Sequence, residues 1–119
     1  MRDVRRYLPL SAQQFQILLA LTDADRHGYA ILLDVESRTG GAMRLGTGTL
    51  YTAIAGLAAD GLVAPVRKGA RTESDANDPR AERRRFYRLT ALGREVLEAE
   101  TARLDSLVRA ARRKGIVPA

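Results

Sequence analysis

Between Thr47 and Thr52 the chain reads Thr-Gly-Thr-Leu-Tyr-Thr, four hydroxyls and one glycine in a row of six. Hydroxyls this dense have two uses. They can satisfy the open N–H groups at a helix start, or, beside the N–H groups that Gly48 leaves uncovered, they can bind phosphate oxygens and base edges. For Thr47 and Thr49 both uses stand open. Thr52 follows Thr49 by one helical turn and shares its face. Tyr51, one position from Leu50, either packs at the core edge or brings its hydroxyl to a phosphate, and the phosphate is the favoured reading. Further upstream, His27 and Tyr29 open another helix. There they can serve as a cap and a core aromatic, or touch a nucleic-acid backbone. A metal role for His27 lacks a second ligand, because Ile31 stands at i+4.

A second group is cationic. Lys68, Arg71, Arg83 and Arg85 lie in or beside a polar stretch, where they suit phosphate oxygens. Glu73, Asp75, Asp78 and Glu82 dilute that charge, so a merely solvated loop is the alternative. If the chain is extended there, Arg84 and Arg85 point to opposite faces and only some of the run can meet one backbone. Enzyme chemistry finds no material. There is no cysteine, there is one histidine, and the acids are spread along helix surfaces, so neither a nucleophile–base pair nor a metal cluster assembles. We expect no catalytic residues, no metal and no cofactor.

The elements that must position these groups follow from caps and periodicity. Ser11, behind Pro9, caps a first helix whose apolar stripe includes Phe15, Leu18, Leu19 and Thr22, widened by Ile17 and Leu21, and which ends near Asp23-Ala24-Asp25. A second helix runs from about His27 to Thr39, buries Gly28, Ile31, Leu32 and Val35, and stops at Gly40-Gly41. The third begins around Gly46-Thr47 and ends at Asp60-Gly61. Leu50, Ile54, Leu57 and Ala58 form its inner stripe, and Thr49, Thr52, Ala53 and Gly56 form a flat outer face suited to another large surface. Leu62 to Val66 reads as a strand that Pro65 either confines to an edge or cuts short in its pairing. Residues 68–82 hold almost no large apolar group and read as a loop. Arg83 to Leu89 then alternate, with Tyr87 and Leu89 on one face and Phe86 and Arg88 on the other, which closes a hairpin. Thr90 caps the last helix, which runs to about Lys114 and spans roughly 35 Å. Glu95, Glu98 and Glu100 near its start and Arg109, Arg112, Arg113 and Lys114 near its end complement the helix dipole.

That order is mainly α with a small β-hairpin: a winged helix-turn-helix followed by one long helix. The chain divides into a basic N-terminal arm (1–9), the winged helix-turn-helix (10–90), the long helix (91–114) and a tail (115–119). Leu97, Leu104, Leu107, Val108 and Ala111 line one side of the last helix, and its length exceeds what so small a body can cover. This stripe is expected to form a two-fold dimer interface.

Composition agrees. The 119 residues are 45% hydrophobic and 29% charged, enough for one domain, and the net charge of +6 favours polyanions. Arginine outnumbers lysine 18 to 2, which suits bidentate contacts, though genomic base composition explains the bias equally well. The charge is uneven: residues 1–9 carry +2, residues 10–66 carry −2, residues 67–88 carry +4, residues 89–108 carry −2 and the remainder +4. No apolar run approaches the roughly 18 residues of a membrane span, and the charged N-terminus lacks the apolar stretch of a signal peptide. A cytoplasmic protein without membrane contact is expected.

Five pieces in this order resemble the PadR family of transcriptional regulators: His27-Gly28-Tyr29, Thr39-Gly40-Gly41, Gly48-Thr49-Leu50-Tyr51, Gly61-Leu62-Val63, and Arg84 to Thr90 followed by Gly93-Arg94. The resemblance covers about residues 10–105. It implies a homodimeric repressor that binds double-stranded DNA, with the third helix in the major groove and two such helices reading a palindrome. It also implies a small apolar effector at or near the dimer interface. With no tryptophan and only Phe15 and Phe86, this chain offers no aromatic sandwich for one. Two rival readings are a winged-helix module for protein contact and an RNA binder, the latter lacking a stacking platform for single strands.

Overall fold

Side-chain capping decides where all but one of the described α-helices begin. In the computed structural model, which describes residues 3–66 and 85–118, Ser11 forms a capping box ahead of α1 (Ala12–Ala20). Its hydroxyl accepts the Gln14 N–H at 3.0 Å, and its own N–H donates to the Gln14 side chain at 2.9 Å. α1 closes at Leu21, short of the expected Asp23. After a two-residue strand β1 (Arg26–His27), His27 caps α2 (Gly28–Arg38). Gly40 and Gly41, with φ of 60° and 82°, then turn the chain. The turn is held by Thr39, whose hydroxyl donates to the Val35 carbonyl at 2.8 Å and accepts the Met43 N–H at 3.1 Å. α3 spans Thr47–Ala59, β2 spans Val63–Val66, β3 spans Phe86–Leu89 and α4 spans Ala91–Arg113.

The three strands form an antiparallel sheet in the order β1-β3-β2. Arg26 pairs with Tyr87 and His27 with Phe86 on one side; Val63 pairs with Leu89 and Val66 with Phe86 on the other. Pro65 thus lies on an edge strand, as its missing N–H requires. β2 and β3 lie where alternation places strands, and β1 has no such signal. Two residues carry no period, and only pairing across the fold defines them. The expected loop at 68–82 lies outside the described residues.

The core is one cluster. Ile17 and Leu18 of α1, Ile31 and Val35 of α2, Leu50, Ile54 and Leu57 of α3, and Val96 of α4 are all at most 2% exposed. Leu32 and Ala58 lie at its edge rather than inside it. Two features depart from the sequence reading. The expected arm, 1–9, contains a 3₁₀ turn (Val4–Tyr7) docked on α4, with Val4, Tyr7 and Leu8, and Leu10 just beyond them, against the core and Arg5 and Arg6 outward. α4 has no acid in its first turn, so Glu95, Glu98 and Glu100 stand too far along to complement the dipole; Arg112 and Arg113 do lie in its last turn.

α4 divides in two. Its first half is built into the domain: Leu92, Val96 and Leu97 are buried, and Gly93 crosses so close to the Leu62 carbonyl that a Cβ there would lie 2.0 Å from its oxygen. Leu97, expected at a dimer face, is therefore taken up by the chain's own core. From Thr101 onward the helix is mostly exposed. The molecule is accordingly long, 60 × 38 × 22 Å, with a radius of gyration of 16.4 Å. A compact chain of this length would have about 13.5 Å. No helix among the described residues is long and apolar enough to cross a membrane.

Candidate nucleic-acid interface

α3 presents two unlike faces. Leu50, Ile54 and Leu57 are sunk into the core, and Thr47, Gly48, Thr49, Thr52 and Gly56 are exposed. The helix begins at Gly46, which makes no side-chain cap, so Thr47 and Thr49 are not the N-cap residues of this helix. A Cβ placed on Gly48 or Gly56 would meet nothing within 4 Å. Glycine inside a helix costs about 1 kcal/mol relative to alanine, and no contact among the described residues requires it at either position. The outer face of α3 is thus flat, rich in hydroxyls, and open to close approach.

That face continues onto α1. Ser11, Gln13 and Gln14 border an open groove whose other wall is Gly48, Thr49, Thr52, Ala53 and Gly56. Nothing in the sequence joins these residues to the site. The capping box marks Ser11 and Gln14 locally, but only the packing of α1 on α3 brings them beside Thr49.

The remaining expected residues separate. Tyr51 is half-buried and its ring lies on Gly28 at the start of α2; a Cβ at Gly28 would come 2.5 Å from its hydroxyl. Gly28 therefore allows α3 to close on α2. His27 acts as the cap of α2: its Nδ1 accepts the Ala30 N–H at 3.1 Å, which leaves the proton of the neutral ring on Nε2. Its ring meets Phe86 edge-on, with centroids 5.5 Å apart. Tyr29 is 55% exposed and so not a core aromatic; it stands one turn before the exposed Leu33. Arg85 is half-buried at the start of β3, and Arg88 on that strand is exposed. Lys68, Arg71 and Arg83 lie outside the described residues. Phe15, like Phe86, is half-buried, with its ring against the core.

On α4, Leu104, Leu107 and Val108 are exposed and Ala111 is half-buried, an apolar stripe at helical spacing along the projecting half. Among the described residues no group of three or more His, Asp or Glu could hold a metal ion.

Three helices, a small antiparallel sheet and a helix with an open outer face define a winged helix-turn-helix protein. The model of the transcriptional regulator PadR-like family matches residues 17–99, and the chain belongs to that family. A 37.1 kDa protein in transposon TN4556 of Streptomyces fradiae is 40% identical over 98 residues; the match covers 80% of this chain and 24% of that protein, so the chain spans about a quarter of its length. A PadR family transcription regulator from Clostridium difficile superposes with a TM-score of 0.67 at 20% identity, over 87% of this chain and 97% of that one. Bacillus subtilis PadR, in complex with operator DNA, superposes with a TM-score of 0.56 at 19% identity, over 75% of this chain and 46% of that one.

Proposed function

We propose that this protein is a sequence-specific, double-stranded-DNA-binding repressor that acts as a homodimer. The observation that carries the reading is the outer face of α3, where Thr49 and Thr52 stand between two glycines that no contact among the described residues requires. A major groove admits a helix whose outer face is short enough for its backbone to come near base edges. The groove wall of α1 extends this surface with Gln13 and Gln14, whose amides can donate to and accept from bases or phosphates. Arg85, with Lys68, Arg71 and Arg83 of the adjoining segment, supplies phosphate contacts. The operator-bound state of the B. subtilis PadR supports the same use of the fold here.

Dimerisation goes through Leu104, Leu107, Val108 and Ala111, whose stripe projects from the domain. Two α3 helices about one turn of DNA apart then read a palindrome.

The test is selection of bound sequences from a random duplex library, followed by titration across salt concentrations. We expect an enriched palindrome, nanomolar affinity and a steep negative salt slope. Thr49→Ala should weaken the selected duplex by about fivefold, the worth of one hydrogen bond, and leave random duplex unaffected. Arg85→Ala should weaken both alike and flatten the slope by about one phosphate. Failure to enrich any sequence would overturn the reading.

A further inference from the structure

α4 holds α1 at both ends. Past the C-terminal end of α1, Arg94 donates from Nη2 to the Thr22 carbonyl at 2.9 Å. Ahead of its N-terminal end, the Leu10 N–H donates to Glu100 Oε2 at 2.7 Å. Glu100 is only 1% exposed, and Arg103 donates to the same carboxylate from Nε and Nη2, so the buried charge is paired.

Leu10 immediately precedes Ser11, the capping box that shapes the first turn of α1. Ser11 and Gln14 of that box line the groove opposite Thr49 and Thr52. A continuous set of contacts therefore leads from inside α4, through one backbone N–H, to the edge of the DNA-facing surface. Apolar packing through Val96 and Leu97 is non-directional. The hydrogen bonds at the two ends of α1 are directional and add a fixed register between α1 and α4.

We propose that Glu100 and Arg94 are positioning residues for DNA binding. They fix α1 against α4 and so set the groove between α1 and α3, although neither borders that groove. The inference rests on the DNA-binding reading above. It makes the setting of α4, whose apolar half begins one turn beyond Glu100, a determinant of how well the duplex is read.

The experiment uses the full chain carrying Glu100→Leu, Glu100→Gln or Arg94→Ala. Three quantities are measured well below the unfolding midpoint: hydrogen exchange of the Leu10 amide, solution mass, and the affinity ratio of selected to random duplex. Glu100→Leu and Arg94→Ala should each lower that ratio about tenfold, the worth of a hydrogen bond to a charged group, without changing the mass. Glu100→Leu should also accelerate exchange at Leu10. Glu100→Gln keeps an acceptor for the Leu10 N–H and should recover part of the ratio. Should Glu100→Leu fail to fold, Arg94→Ala still decides, since Arg94 is exposed. An unchanged ratio in the folded variants would reduce the ties to a structural role, and unchanged exchange at Leu10 would remove the Glu100 tie. A wild-type chain with no duplex preference overturns the DNA reading and the positioning role together, and is recognised before any variant is made.

Discussion

Glu100 is a charged side chain buried beneath the N-terminal segment of a small domain, and its surroundings explain why it stays ionised. Arg103's donated hydrogen bond, then the Leu10 N–H, hold its carboxyl below the ordinary carboxylate range against the opposing effect of burial. A depressed folded-state value means that the stabilisation is complete above the unfolded value, near 4.5, and is lost as pH falls through the folded one. Glu100→Gln should therefore destabilise the protein at pH 7 and flatten the loss of stability below about pH 4.5, as read from urea unfolding midpoints across pH. An unchanged pH profile would mean the carboxylate is not tied as described. Much of the chemistry at this scale was legible beforehand. The hydroxyls of residues 47–52 identify themselves by type, but their separation into the exposed Thr49 and Thr52 and the half-buried Tyr51 depends on how α3 rolls onto its neighbours. By its position in the sequence Glu100 is only a candidate partner of the helix dipole, because nothing within its own helix signals the Leu10 N–H.

The starts of α1, α2 and α4 were the most legible, since they are set by side chains within a few residues: Ser11 for α1, His27 for α2 and Thr90 for α4, whose hydroxyl accepts the Gly93 N–H at 2.9 Å. Strand β1 was illegible, because its two residues acquire meaning only against Phe86 and Tyr87. The joint between sheet and helix deserves a direct test. Thr90 donates its N–H to the Leu62 carbonyl and its hydroxyl to the Gly61 carbonyl, drawing the start of α4 onto the β2 end of the wing. Gly93 permits this approach, so Gly93→Ala forces a Cβ into the Leu62 carbonyl and backbone must shift to admit it. The expected cost is about 2–3 kcal/mol in urea unfolding, the scale of an overpacked core. A neutral result would mean that α4 does not cross so near β2.

At the scale of the whole molecule the projecting half of α4 dominates. An apolar stripe on a helix that extends beyond its domain gains stability from a partner, and a second copy presents the same stripe about a two-fold axis. Light scattering should give twice the 13.0 kDa chain mass, and Leu107→Asp, at a position 55% exposed, should return it to a monomer that keeps its helicity. A variant that stays dimeric would place the interface elsewhere.

The sequence by itself determined the helices, the pairing of β2 with β3, the edge role of Pro65, the inner stripe of α3 and the family to which they belong. Each of these depends on caps, periodicity or turn residues separated by a few positions, where local sterics and hydrogen bonding act without help from the rest of the fold. Only the tertiary structure decided that Leu97 faces inward while Leu104 does not, that Gln13 and Gln14 share a groove with Thr49, and that α1 is tied to Glu100 and Arg94. Those facts join residues far apart in the chain. The physical reason is that burial and polar pairing belong to surfaces in contact, and which surfaces meet is settled only when all the elements pack together.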